Sequence, residues 1–151
     1  MLRQQLQESL KTAMLGKDSC TVSTVRLILA ALKDRDIAGR PKGQADGIPE
    51  DEILSMLQGM IKQRRESIAL YDQGGRKDLS AKEADEIKVI EKFLPAQMSE
   101  KDTEAAVSET ITALGVKGLK EMGRTMAALK EKYAGRMDFT RASAIVKKQL
   151  G

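Results

Sequence analysis

Histidine is absent from this 151-residue sequence, and so is tryptophan. Without imidazole, histidine-dependent triads and general bases drop out, and with them nearly all common zinc and haem sites. A single cysteine, Cys20, has no internal partner for a disulfide, which suits a reducing compartment. Aromatics amount to 3%, two Phe and two Tyr. Alternating β-branched runs are missing too, so a sheet has little to be built from. The longest apolar run, "LILAAL" ending at Leu32, is far short of the ~20 residues of a membrane-spanning helix. The N-terminal "MLRQQLQESLKTAM" is amphipathic and carries no apolar stretch of the secretory kind. No membrane association and a cytoplasmic location are the expectations. Neither GxxxxGK(S/T) nor GxGxxG occurs, which leaves no nucleotide-phosphate cradle. Spacings of metal ligands are missing as well, so neither metal nor cofactor is expected.

What is present suits helices. Apolar residues reach 41% and charged residues 32%. The apolar set is mainly Leu, Ile, Val, Ala and Met, which favours an all-α fold. Leu2, Leu6, Leu10, Ala13 and Met14 recur at helical spacing, and Gly16 closes that helix. Asp18 or Ser19 can cap the next, whose apolar positions are Val22, Val25, Ile28, Leu29 and Leu32. "GRPKGQADGIPE" from Gly39 is a loop, rich in glycine and proline. Pro49 followed by Glu50, Asp51 and Glu52 opens a third helix, where acids favour the positive end of the dipole. "GG" at Gly74–Gly75 breaks it. A fourth helix from about Asp78 or Ser80 carries Ile87, Val89, Ile90 and Phe93, and Leu94–Pro95 stops it.

Beyond Pro95 the rhythm shortens. Ser99 and Asp102 resemble a capping box ahead of Val107, Ile111 and Leu114, with Gly115 as the stop. Leu119, Met122, Met126, Leu129 and Tyr133 predict a sixth helix ended by Gly135. Asp138 or Thr140 starts a seventh, with Ile145, Val146 and Leu150. The expectation is a helical domain of about four helices over residues 1–95. A small basic three-helix domain would follow over 96–151, with a hinge near Pro95–Ser99.

Candidates for chemistry are few. Glu83, Asp85 and Glu86 read as a solvated helix face. Cys20 lies near a helix N-terminus, a place that can acidify a thiol. With no histidine to assist it, the expected role is a small buried apolar residue. In "KQRRES", Lys62, Arg64 and Arg65 read as an exposed face paired with Glu66. Arg76 and Lys77 in "GGRKD" suit either a phosphate grip or a helix lead-in. No residue is expected to be catalytic.

The charge distribution is more informative. Net charge is +4, yet residues 117–151 hold nine Lys+Arg against three Asp+Glu. The nine are Lys117, Lys120, Arg124, Lys130, Lys132, Arg136, Arg141, Lys147 and Lys148. Such a segment points to an anionic partner. Basic side chains contact phosphate oxygens whatever the base sequence, and that binding is sensitive to salt. Only Tyr133 and Phe139 are there to stack on unpaired bases, so a structured RNA suits the segment better than a single strand. Within "KEMGRTMAALKEKYAGRMD", Gly123 falls inside a helical pattern, where glycine costs roughly 0.5–1 kcal/mol relative to alanine. With Ala127 it makes a smooth strip beside the apolar stripe, bordered by Lys120, Arg124 and Lys130. Close packing of a neighbouring helix on Gly123 and close approach of an RNA backbone or partner protein are the two explanations for it.

Several segments together resemble the GatB/YqeY family, and within it a free-standing YqeY-like protein. They are "AMLGKDSCTVSTVRLILAAL", "LYDQGGRKDL", "FLPAQMSE", "EMGRTM" and "GRMDFT" in this order, spanning nearly the whole chain. The resemblance implies a two-part helical fold. It also implies kinship with the C-terminal tail of the B subunit of the glutamine-dependent aspartyl/glutamyl-tRNA amidotransferase. In that enzyme the tail helps hold the tRNA, while the chemistry happens in another domain. The expected function is therefore a tRNA-binding accessory module. Its expected binding residues are Lys120, Gly123, Arg124, Lys130, Lys132, Arg136, Arg141, Lys147 and Lys148. Two alternatives stand beside it. One is a subunit or cofactor of a carbon–nitrogen ligase with glutamine as amide donor. The other is a protein-interaction module, with an amidotransferase or an aminoacyl-tRNA synthetase as partner. Where family members often carry G-x-A-D-G, this chain has Phe139 after Asp138.

Overall fold

The four-residue spacing of leucines in the first fourteen residues becomes α1 (Leu2–Leu15), with Leu2, Leu6 and Ala13 turned inward. It is the first of seven α-helices; the computed structural model describes residues 1–151, and no strand is present. The chain divides into two compact units, Met1–Leu94 and Pro95–Gly151.

The first unit contains α1, α2 (Ser19–Gly39), α3 (Glu50–Gln73) and α4 (Lys77–Glu91). Asp18 caps α2, accepting a hydrogen bond from the Thr21 backbone N–H at 3.2 Å. Pro49 precedes α3, and Glu50, Asp51 and Glu52 occupy its first turn as the dipole argument requires. Helix α4 begins at Lys77, ahead of the expected Asp78 or Ser80. No side chain caps it. Arg76 instead binds the Asp78 carboxylate at 3.1 Å, so this pair forms the lead-in. Val25, Ile28, Leu57 and Ile90 from α2, α3 and α4 join Leu6 in one core. Burying each such side chain is worth about 1.5–3 kcal/mol.

Two polar networks tie this unit together. Arg3 makes a bidentate pair with Asp36, at 2.6 and 2.7 Å, and also donates to the Ile48 carbonyl at 3.0 Å. Asp36 accepts from the Ile48 N–H at 2.9 Å, which pins the start of α1 to α2 and to the loop before α3. Gly47 sits against this network with φ +102°; a Cβ there would lie 2.5 Å from Arg3 Nη2. The hydrogen bonds from Arg3, then that from Ile48, hold the Asp36 carboxyl below its usual range. A depressed carboxyl stabilises the fold above the unfolded-state value of about 3.9 and loses that contribution as pH falls through the folded value. Acid unfolding should therefore steepen below about pH 4. Asp36→Asn should flatten that part of a stability–pH curve, read by denaturant titration at stepped pH.

The second network joins α3 to α4. Arg64 Nε donates to Glu86 Oε2 at 2.9 Å, and Arg64 Nη1 donates to the Met60 carbonyl at 3.2 Å. Glu83 lies 3.9 Å away. The Arg64 and Glu86 side chains are only 13% and 11% exposed. Two expectations are corrected here. Arg64 is paired with Glu83 and Glu86 across the helix interface, not with Glu66, and Glu86 is buried where a solvated face was expected. Arg65 alone of the "KQRRES" bases keeps an exposed partner, Glu91 at 3.7 Å. Cys20 is corrected too: it is exposed at the start of α2, because the inward positions of that turn are Thr21 and Thr24. Thr24 is fully buried and its hydroxyl has no hydrogen-bond partner. Thr24→Val keeps the shape and removes the orphaned group. It should stabilise this unit by about 1 kcal/mol, measurable as an upward shift of the denaturant midpoint.

The second unit contains α5 (Glu100–Leu114), α6 (Met122–Lys132) and α7 (Phe139–Leu150). Val107, Leu129, Met137, Ala142 and Val146 form its core. Ser99 caps α5, accepting from the Asp102 N–H at 3.1 Å. Gly115 closes α5 with φ +66°, and Asp138 caps α7 through the Thr140 N–H at 3.0 Å. Three contacts fix the topology. The Met98 N–H donates to the Arg136 carbonyl at 2.9 Å, so α5 starts where α6 hands over to α7. Gly151 approaches Leu119 at the opposite end. Ser108 donates to Gln149 Oε1 at 3.2 Å, which sets α5 and α7 side by side. The unit is an up-down-up three-helix bundle, with α6 antiparallel to both neighbours.

Candidate nucleic-acid interface

Helix α6 starts at Met122, after a single 3-10 turn over Leu119–Glu121. Gly123 is thus the second residue of the helix, not an interior one, and it is exposed. No atom lies within 4 Å of the position a Cβ would take there. Helix packing as the reason for this glycine is thereby excluded. Leu119, expected in the apolar stripe, is half exposed at 49% because the 3-10 turn rotates it out of register.

All nine candidate binding residues are exposed, yet helix geometry distributes them over different flanks. Successive residues turn by about 100°. On α7, Ala142 and Val146 face the core, and Gln149 marks the flank toward α5. Lys147 and Thr140 then fall on the flank toward α6, Ala144 sits at the centre of the outer surface, and Lys148 and Arg141 lie toward α5. On α6, Thr125 and Leu129 face the core, and Leu119 marks the flank toward α7. Gly123 and Lys130 share that flank, joined by Lys120 from the preceding turn, and Ala127 sits at the centre of the outer surface. Arg124 and Glu131 fall on the opposite flank, toward α5, as Arg141 and Lys148 do on α7.

The face where α6 and α7 run side by side therefore carries Lys120, Lys130 and Lys147, whereas Arg124 lies on the flank of α6 toward α5. Between the lysines stand the small exposed residues Gly123, Ala127, Thr140 and Ala144, with half-exposed Leu119 at the end nearest Lys120. The other candidates have other neighbours. Arg141 lies 3.8 Å from Asp138. The Lys132 ammonium sits 5.5 Å from the centre of the Tyr133 ring. Arg136 lines a cleft of about 260 Å³ with Asp102, Glu109, Tyr133 and Met98. So the basic segment is not one patch. Tyr133 and Phe139 are both half-buried against the core, and neither belongs to the α6–α7 face.

The sequence concealed the acidic counterpart. Glu100, Asp102, Glu104 and Glu109 are all exposed on α5, against the one base Lys101. The second unit is thus polarised, acidic along α5 and basic where α6 meets α7. Thr140 and Ala144 were also missed. Their signal was available: both are small residues within a turn of Arg141, Lys147 or Lys148.

An all-α protein with a four-helix unit followed by a small, charge-polarised three-helix unit is what these elements define. The chain belongs to the YqeY-like protein family, whose model matches residues 3–150. Among curated proteins it is similar to altered inheritance of mitochondria protein 41, mitochondrial. The Kluyveromyces lactis protein is 33% identical over 111 residues, covering 72% of this chain and 58% of that protein. The Eremothecium gossypii protein is 35% identical over 124 residues, covering 82% and 62%. The Saccharomyces cerevisiae (strain YJM789) protein is 36% identical over 115 residues, covering 74% and 60%. The chain spans about three fifths of the length of these relatives. Their names place them in mitochondria, which overturns the cytoplasmic expectation. That expectation rested on a lone cysteine and on missing apolar runs, and neither feature distinguishes between two reducing compartments.

Proposed function

We propose that this chain is an RNA-binding accessory protein that holds a folded RNA of the tRNA kind through the α6–α7 face, without performing a chemical step itself. The observation that carries the reading is the composition of that face. Three lysines surround a floor of glycine, alanine and threonine, and Glu131, the one acid of α6, lies on the flank away from them. Flexible ammonium groups around a flat floor suit a phosphate backbone, because phosphates need charge and not a particular hydrogen-bond pattern. The acids of α5 repel the same ligand from the opposite side of the unit, so binding has one orientation.

Fluorescence anisotropy with labelled total tRNA at stepped salt tests this. Three phosphate contacts give a log–log salt slope of roughly −2 to −3. Affinity should then fall roughly 20- to 40-fold between 50 and 200 mM salt. No binding at low salt, or binding indifferent to salt, overturns the proposal.

A further inference from the structure

Resting on that reading, we infer that the α6–α7 face is built for the double-helical part of an RNA, contacting both backbones across a wide, shallow A-form minor groove. Four features of the face point there. First, it presents no aromatic ring, since Tyr133 and Phe139 are tucked against the core. Stacking of unpaired bases, the usual means of holding a single strand, has no platform. Second, it offers no side chain with the paired donors or acceptors that read base edges. Third, its floor between the lysines is flat: nothing packs near the Cβ position of Gly123, and Ala127, Thr140 and Ala144 rise little above the helix backbones, with Leu119 raised only at the end nearest Lys120. A flat face cannot enter a B-form major groove about 8.5 Å deep or a minor groove about 6 Å wide. It can lie on the shallow minor groove of A-form RNA, where shape, phosphates and 2′-hydroxyls are the contacts. Fourth, Lys120 and Lys147 stand at one end of the antiparallel pair and Lys130 toward the other. Ten residues separate Lys120 from Lys130, a span of about 15 Å at the helical rise. With Lys147 on α7, the cations stand in two rows, one on each helix, and not along one. The Thr140 hydroxyl lies on the same face, where it can meet a 2′-hydroxyl.

The test uses the full chain and three labelled probes of one sequence at low salt: an RNA duplex of about 16 base pairs, the matching DNA duplex, and the single RNA strand. Total tRNA serves as the reference. The RNA duplex should bind at least about tenfold more tightly than either of the other two. Equal affinity for the DNA duplex, or tighter binding of the single strand, overturns the inference while RNA binding itself stands. Binding of tRNA without binding of the duplex does the same. Failure of every probe, tRNA included, removes the underlying reading instead. Gly123→Leu supplies the second arm. The position is open and helical, so the fold tolerates it, and circular dichroism should be unchanged. A side chain raised from the floor should weaken duplex binding by about tenfold. Unchanged affinity in this variant counts against a flat seat.

Discussion

Replacing Arg64 with methionine should cost the first unit about 3–5 kcal/mol, the largest single-residue loss expected for this chain. The side chain packs among α3 and α4 with its guanidinium on Glu86, and both partners are almost wholly withdrawn from water. Methionine fills most of the volume, so the loss comes from Glu86. Its carboxylate would be left in a poorly solvated place with Glu83 as a like-charged neighbour. The companion variant separates charge from packing. Arg64→Met with Glu86→Leu removes both charges, and a well-packed apolar pair often matches or exceeds a buried ion pair. Thermal and denaturant unfolding should show the double variant recovering most of the loss. If the single and double variants fall equally, the pair acts through packing and not through charge. Since the chain has two compact units, the unfolding should be followed with a probe in the first unit.

Lys120→Glu with Lys130→Glu should lower affinity for tRNA on the order of 100-fold at low salt and reduce the salt slope by about 2. Each reversal removes a phosphate contact and sets a like charge in its place. Lys132→Glu with Arg136→Glu reverses the same number of charges on the same unit, with a different expected result. Those side chains lie toward α5, one over Tyr133 and the other beside Asp102 and Glu109. Charges farther than about 10 Å from the ligand are largely screened at moderate salt, so affinity should change by no more than about threefold. Net charge is identical in the two variants. A matched loss in both would mean that overall charge and not the α6–α7 face governs binding. A larger loss in the second variant would move the site to the cleft.

Much of the architecture was legible because helices are written locally. Periods of three and four put Leu2 and Leu6, or Ala142 and Val146, on one side of a helix within a single turn. Asp18, Ser99 and Asp138 announce helix starts, since their side chains reach N–H groups two or three residues on. The Ser99–Asp102 pair shows where such reading stops. The serine half of the capping box is formed, whereas Asp102 lines the cleft with Arg136. Likewise the start of α6 was misplaced by three residues, because a 3-10 turn and an α-turn share nearly the same apolar spacing. That small shift turned Gly123 from an apparent interior flaw into an open position at a helix start.

Local residue patterns set an all-α protein, the helix count, most of the caps, and the concentration of positive charge from residue 117 onward. Each of these follows from residues within about four positions of one another, or from a plain sum. Which charges stand together was decided only by the tertiary structure. Lys147 and Lys148 are chain neighbours, yet a helix turns by about 100° per residue, and packing sends one toward α6 and the other toward α5. Arg64 finds Glu86 twenty-two residues away for the same reason. Side-chain company depends on how helices dock, and docking is set by apolar contacts far apart in the chain, which no local spacing records.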